Sequence, residues 1–487
     1  MIARHLTFPF LCLSGLALAL SACGPASNRY ALIEESLRAG NVQRADQIVE
    51  EAHKDYDAES QVLYRMDRGM TLHLAGRYEE STSVLEKAEQ MVEELYTRRI
   101  STHTKAFLYN DTELPFEGAP YEQVMLNVLK ALNYAVTGNL QDALVEARRV
   151  DHRLNVLADQ VGDKPDAYKD DGLARYLSGI LYEAAGELND AFIAYRKAYD
   201  AYLAAQTWSR TPPPPMLRTD LLRITDALHV TDEHAQYRQA FGDTPWQPPS
   251  DPQQFAQVVV VSYNGAAPRK EDQFLDLPIS LDALRLVLVS KQLQGGSSAN
   301  SREARAVESV LYGLNGRVVR VALPRLVPRK TAVAIEQVSL GGADRAYGTH
   351  TELVQDISAL AAKQFSDQFN SVAVKAVARA AVKYMAAEGV ARSARAAAGR
   401  DTTAHLIALL VGSLAKALAI STEEADKRIW QTLPDEIHVA RLWVPPGSYE
   451  LFVRPIGKGG GPIGRETVRA VTLRAGETRF FTERVMP

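Results

Sequence analysis

The sequence contains very little cysteine, since only Cys12 and Cys23 occur among its 487 residues. Both belong to an apolar run near the amino terminus. If that run is removed and Cys23 is modified, no free thiol remains, which excludes disulfides, cysteine metal ligands and a thiol nucleophile from the rest of the chain. The fold must then depend on packing, and a hydrophobic content of 46% supplies enough material for two or three cores.

Long apolar runs are equally scarce. Residues 6–20 form the first, which follows the charge of Arg4 and has the length of a secretory signal rather than of a membrane-spanning helix. Residues 404–420 form the second, which is interrupted by His405 and Lys416 and is shorter than the ~20 apolar residues that a span requires. We predict an export signal at the start of the chain and a buried core helix at 404–420.

The export signal ends in the tetrad LSAC, residues 20–23, which resembles a bacterial lipobox. The resemblance implies a signal peptide at 1–22, a diacylglycerol thioether on Cys23 and a lipidated tether at 23–28. An ordinary signal peptide with an incidental cysteine, or an uncleaved N-terminal anchor, is the alternative. Because Gly24 is not the aspartate that retains such lipoproteins at the inner membrane, the resemblance favours the outer membrane, with the body in the periplasm.

Charge and proline divide the rest of the chain. Residues 24–210 carry 21 basic and 31 acidic side chains, whereas residues 211–487 carry 33 and 28. Proline-rich stretches at 211–215 and 243–254 lie between the two parts. We predict a helical domain at 29–241, a linker at 242–254 and further domains beyond it.

The first half repeats itself. A small residue (Ala45, Ser81, Ala143, Ala191) stands five positions after each of four glycines: Gly40, Gly76, Gly138 and Gly186. This pattern resembles the tetratricopeptide repeat (TPR), in which a glycine turns the chain between two helices and small residues let the helices approach. The glycines are 36, 62 and 48 residues apart instead of about 34, so insertions must occupy the excess. We predict an all-α stack of TPR-like repeats, an architecture that binds partners in a groove.

One insertion, at residues 102–123, is rich in aromatic residues. Tyr109, Phe116 and Tyr121 are candidates for lining a partner-binding surface. The alternative is a loop that caps the helical stack, because aromatic residues in long loops more often anchor the loop than bind a ligand.

The second half alternates short β-branched runs with Ala-rich helical periodicity. Strands at 257–265, 317–324 and 332–340, followed by helices from residue 349 onwards, indicate an α/β middle domain at 255–430. Turn sequences then separate four more strands, around 437–444, 448–454, 467–473 and 478–485, which predict a small antiparallel β-sandwich at 431–487. This last segment resembles the PEGA-type and transthyretin-like repeats of envelope proteins.

Basic side chains share one face of a predicted helix in the middle domain. Lys375, Arg379 and Lys383 recur at intervals of four, and residues 371–400 carry six basic side chains against the single acid Glu388. On a membrane-tethered protein this face is a candidate contact for anionic lipid or an anionic cell-wall polymer. The alternative is a solvated face, or one paired with acids elsewhere.

Motifs that would indicate catalysis are missing from the sequence. The SLAK tetrad at 413–416 has the S-x-x-K spacing of penicillin-binding enzymes, but no S-D-N or K-T-G follows it. The loop GKGGGPIG lacks the G-K-[ST] order of a phosphate loop, and the ten histidines show no metal-ligand spacing. We predict a protein that is not an enzyme, has no metal or other cofactor, and binds no nucleic acid.

Three further stretches, at 264–272, 377–384 and 425–447, resemble a family of TPR-containing outer-membrane lipoproteins of Gram-negative bacteria. The resemblance covers most of the mature chain and implies no established activity. The resulting hypothesis is a lipid-anchored, periplasm-facing adaptor whose repeats bind protein partners in the envelope. The alternatives are a periplasmic enzyme that acts on cell-wall or lipid substrates through 255–430, and a structural subunit of an export machine.

The lipobox gives a direct prediction. Replacement Cys23→Ala should abolish lipid labelling and release the protein from membranes, because the apolar runs of the mature sequence are too short to span a bilayer. Metabolic labelling with a fatty acid and fractionation of cells check both effects. Retention of the variant in the membrane pellet after a salt wash would contradict the assignment.

Overall fold

The computed structural model describes residues 25–101, 111–161, 168, 170–209, 211–242, 244, 254–278, 318–342, 345–373, 375–376 and 425–487. Cys23, Tyr109, Arg379 and Lys383 lie outside these residues, as do the apolar run at 404–420 and the SLAK tetrad. The predictions made for them stay predictions.

Helices arranged as antiparallel pairs form the first half of the described chain. Small and apolar residues recur on the buried side of each helix, and short turns join the two members of a pair. The helices are α1 (Pro25–Arg38), α2 (Val42–Glu51), α3 (Gln61–Leu74), α4 (Tyr78–Ser101), α5 (Pro120–Val136), α6 (Leu140–Val161), α7 (Gly172–Ala184), α8 (Leu188–Ser209), α9 (Pro215–Ala227) and α10 (Thr231–Phe241). Helix α1 begins at Pro25, so residues 25–28, which we predicted to belong to a lipidated tether, are helical.

As the sequence predicted, each of the four repeat glycines makes the turn between the two helices of one of the first four pairs. Their φ angles lie between 72° and 81°, in the left-handed region that favours glycine. Ala45, Ser81, Ala143 and Ala191 are fully buried where the helices meet. At Gly179 a Cβ atom would come within 2.4 Å of the Tyr195 ring, so this pair also requires glycine. TPR-like repeats are therefore confirmed.

Mixed α/β structure follows the repeats, as predicted. In the described part of this region, helix α11 (357–373) lies among ten strands, which form three sheets. The strands are β1 (Ala256–Asn264), β2 (Arg269–Pro278), β3 (Val318–Val327), β4 (Val333–Gly341), β5 (Ala346–His350), β6 (Glu352–Asp356), β7 (Glu436–Val444), β8 (Gly447–Gly457), β9 (Thr467–Leu473) and β10 (Thr478–Val485). Residues 349–356, which the periodicity assigned to a helix, belong mostly to β5 and β6.

Sheet pairing joins the two segments that the sequence assigned to separate domains. Sheet A has the order β10-β1-β7-β6 and sheet C the order β5-β4-β8-β9, while β2 and β3 form a separate ribbon. Strand β1 pairs in parallel with β10, from Gln257 opposite Thr478, and antiparallel with β7. The boundary predicted at residue 430 is therefore wrong for the strands, because non-local pairing places residues from both sides of it in each of these two sheets.

Sheet A lies between the helical repeats and sheet C. The residues of β1 alternate between its two faces: Val258 and Val260 pack against sheet C, whereas Val259, Val261 and Tyr263 join the apolar cluster of the helices. Every residue of β1 is buried as a result. The described chain thus has three layers, which are helices, sheet A and sheet C.

Polar side chains fix the position of the helices on sheet A. The Tyr263 hydroxyl of β1 lies 3.0 Å from Nε2 of His73 on α3, and His73 Nδ1 lies 2.6 Å from the Asn133 carboxamide oxygen on α5. Glu122 of α5 accepts a hydrogen bond from the backbone N–H of Trp430 at 2.7 Å. Each bond satisfies a buried polar atom, so sliding of one layer past the other would leave several of them unpaired.

Arg441 of β7 forms the most highly charged of these contacts. Its guanidinium pairs with Glu183 of α7 at 2.8 Å and with Asp220 of α9, and it lies 3.0 Å from the Tyr195 hydroxyl. Arg223 completes the group by pairing with both acids. Burial alone would raise the pKa of Glu183, but the two guanidinium groups hold it well below its usual range.

The buried His73 gives a pH dependence. Burial lowers the pKa of His73 to about 4, whereas an unfolded histidine titrates near 6.5. Its contribution to stability is therefore complete above pH 6.5 and is lost as the pH falls towards 4, by about 3 kcal/mol. The variant His73→Gln should show a correspondingly smaller loss between pH 7 and pH 4 in urea unfolding. Parallel pH profiles for the parent and the variant would contradict this prediction.

Candidate partner-binding cleft

The concave side of the helical stack is occupied by the chain itself. Helices α3, α5, α7 and α9, the first members of their pairs, face sheet A and contribute to the shared apolar cluster. In repeat stacks this concave surface is the usual binding site. The groove in which we expected a partner to bind is therefore filled by β1, β7 and β10, and another surface has to be considered.

Two aromatic residues of the insertion, Phe116 and Tyr121, lie in the core. Phe116 and Tyr121 are 9% and 1% exposed, and both belong to the cluster that includes α3 and α5. The Phe116 backbone N–H donates to the carbonyl oxygen of Glu59 at 2.7 Å, and the Arg428 guanidinium lies over its ring. These two side chains therefore anchor the segment, and the prediction that they line a partner-binding surface is wrong for them.

The basic face is described only at its first residue. Lys375 is half-buried and helical, two residues after the end of the range given for α11. A contact with anionic lipid or polymer stays a prediction.

An open cleft of about 490 Å³ lies between α4 and α6 on the other side of the stack. Tyr134, near the end of α5, lines it, and Val145 of α6 is 42% exposed at its wall. The charged residues of the lining are Glu79, Glu86, Asp142, Glu146 and Arg149. This is a wide, predominantly acidic depression on a surface that sheet A does not cover.

A buried lysine holds the two walls together. Lys130 of α5 has no exposed surface, and its Nζ atom lies 2.6 Å from Glu86 and 2.5 Å from Glu89 on α4, and 3.0 Å from Glu146 on α6. Arg149 pairs with the same three carboxylates from the side of α6. Three acids thus share two cations beneath the cleft, while Glu79 and Asp142 add negative charge at its rim.

The electrostatic effect of this arrangement is visible in the pKa values. Burial alone would raise the pKa of Glu86, but hydrogen bonds and charge from Lys130 and Arg149 lower it below its usual value. Burial first, and then Asp142 and Glu146, raise the pKa of the Tyr134 hydroxyl. A ligand in the cleft would therefore meet an ionised Glu86 in a predominantly acidic lining, an arrangement suited to lysine or arginine side chains.

Another polar cluster lies between sheets A and C. The Ser262 hydroxyl is 2.9 Å from a carboxylate oxygen of Glu336, and His438 Nε2 is 3.2 Å from Glu436. The serine contacts a carboxylate rather than the histidine, so these residues do not form a nucleophile with its general base. All four are buried or nearly so, and they connect the two sheets.

Solved structures of repeat proteins are similar to less than half of this chain. No family model and no curated protein matches the chain. Among solved structures, MamA from Desulfovibrio magneticus RS-1 is 18% identical, with 46% of this chain and 95% of that chain covered at a TM-score of 0.27. RapI in its apo form is 9% identical, with 47% and 56% covered at 0.32. TPR-like repeats of a Podosopora anserina kinesin light chain are 15% identical, with 45% and 93% covered at 0.30.

The described residues contain neither a candidate membrane span nor a candidate metal site. None of their helices is long and apolar enough to cross a membrane. No group of three or more histidine, cysteine, aspartate or glutamate side chains among them could hold a metal ion.

The acidic cleft was not predicted from the sequence. Two patterns in the sequence correspond to it. Acidic residues occur at positions 86, 89 and 93 of α4, and Asp142, Glu146 and Arg149 follow one another at intervals of four and three on α6. Such charge patterns are usual on solvated helices. Only the structure reveals that the two stripes face each other across α5.

The buried lysine gives a prediction about stability. Replacement Lys130→Met should cost about 3–5 kcal/mol of unfolding free energy at pH 7, because it leaves buried carboxylates with less compensation. The matched variant Lys87→Met, at an exposed position of α4, should cost less than about 0.5 kcal/mol. Chemical denaturation measures both values. The cost at Lys130 should shrink near pH 4, where carboxylates without a cation take up protons, and an equal cost at both pH values would contradict this account.

Proposed function

We propose that this chain is a lipid-anchored, periplasm-facing scaffold lipoprotein that binds a basic segment of an envelope protein in the α4–α6 cleft. The observation that carries the proposal is the combination of one face of the repeats covered by sheet A with an open acidic cleft of about 490 Å³ on a face that sheet A does not cover. Protein binding is the usual use of a helical repeat surface.

Several features support binding rather than catalysis. The cleft is large enough to admit several side chains of a partner, and its carboxylates offer charge-assisted hydrogen bonds to cations. Lys130 and Arg149 hold its walls at a fixed separation, which lowers the entropy cost of binding. The enzymatic alternative has less support, since the contacts of Ser262 and His438 with glutamates do not pair a nucleophile with a general base.

Site-specific photocrosslinking in living cells tests the proposal. A photoreactive amino acid at Val145, in the cleft, should form a covalent adduct with a partner protein. The same amino acid at Ile193 on α8 is the matched control, because Val145 and Ile193 are 42% and 41% exposed on equivalent helices of neighbouring repeats.

Removal of charge from the cleft distinguishes specific binding of a basic partner from non-specific crosslinking. Removal of two rim charges, by Glu79→Gln together with Asp142→Asn, should reduce the adduct at Val145 several-fold without unfolding the protein, because both side chains are exposed. An adduct that forms equally at Val145 and Ile193, or one that survives the loss of both charges, would contradict the proposed site.

A further inference from the structure

The described fold begins almost immediately after the lipid-attachment cysteine. Helix α1 starts at Pro25, so only Gly24 lies between it and Cys23. Two residue steps extend to about 7 Å at most. The inference below rests on the lipid anchor of the proposed function and extends it to the orientation of the body.

Helix α1 is fixed firmly to the rest of the protein. The Tyr30 hydroxyl donates to Asp67 of α3 at 2.7 Å, and Ile33 and Leu37 are 1% and 5% exposed in an apolar cluster. Glu34 forms an ion pair with Arg329, which in turn donates to the Ala267 carbonyl oxygen at 2.6 Å. Helix α1 therefore moves together with the rest of the protein and cannot serve as a flexible tether.

The two ends of the α1–α2 hairpin differ in their neighbours. We define the proximal end as the start of α1 together with the 3-10 turn Ala52–Asp55, which packs beside it after α2. The distal end is the turn at Gly40, where the Arg465 guanidinium approaches and Met486 joins the same apolar cluster. The fourteen residues of α1 separate these ends by about 20 Å.

We propose that the proximal end is the surface of this protein that lies against the lipid bilayer. The acyl chains of Cys23 would sit in the membrane, and a link of about 7 Å is much shorter than the distance of about 20 Å to the distal end. Because α1 is held by Asp67 and Arg329, the body can tilt about the anchor as one piece but α1 cannot extend away from it, so the proximal end stays the closer of the two ends to the bilayer.

The experiment uses the absence of other thiols in the mature chain. Lys54→Cys at the proximal end and Arg38→Cys at the distal end are matched variants, because both replace an exposed basic residue of the same hairpin. Each lipidated full-length protein is labelled with a fluorescent maleimide and reconstituted into phosphatidylethanolamine–phosphatidylglycerol vesicles that contain a lipid with a nitroxide headgroup. Quenching should be several-fold stronger at position 54 than at position 38.

A lengthened link provides the internal control. Ten glycine and serine residues inserted between Gly24 and Pro25 give a flexible segment with an end-to-end distance of about 17 Å, which should remove most of the difference between the two positions. A difference that persists with the insertion would show that something other than the short link orients the body.

The results of these experiments distinguish a failure of the proposed orientation from a failure of the proposed lipid anchor. Mass spectrometry of the N-terminal peptide establishes whether Cys23 carries lipid, and absence of lipid would overturn both the anchor and the orientation. Lipid on Cys23 with equal quenching at both positions, or with stronger quenching at position 38, would overturn the orientation alone.

Discussion

The burial of β1 on both faces is the constraint on which the rest of this structure depends. One face of the strand completes the core between sheets A and C, and the other completes the core of the helical repeats. At roughly 25 cal/mol for each Å² of apolar surface removed from water, each face stabilises the layer that covers it. The repeats and the sandwich are consequently parts of one cooperative unit, although the sequence suggests separate modules.

Charge in the interior adds specificity to this apolar arrangement. Arg441 meets two carboxylates from two different helices, and Lys130 meets three from α4 and α6. Buried pairs of this kind contribute little net stability, because desolvation offsets most of the attraction. They do penalise any alternative arrangement that separates the partners, since an uncompensated charge would remain in the core. We interpret them as determinants of how the layers fit, and of the width of the cleft.

Local features were predictable from the sequence and long-range ones were not. The turn glycines, the small residues such as Ala45 and Ala191, and the strands at 467–473 and 478–485 follow from propensity and periodicity, and they lie where expected. The pairing of β1 with β10 could not be inferred, because strand partners are chosen by packing across more than 200 residues. Phe116 and Tyr121 were misassigned for the same reason, since their burial depends on neighbours that are distant in the sequence.

The parallel pairing of β1 with the last strand has a consequence for biogenesis. Because β10 follows β1 by more than 200 residues, sheet A cannot be completed until both strands have been synthesised. The helical repeats precede both strands and would therefore form before their inner surface could be covered. Chaperones would meet apolar repeats during that interval, and a chain that lacked β10 would keep part of this surface exposed. The addition of β10 is thus a late step on which the burial of the repeats depends.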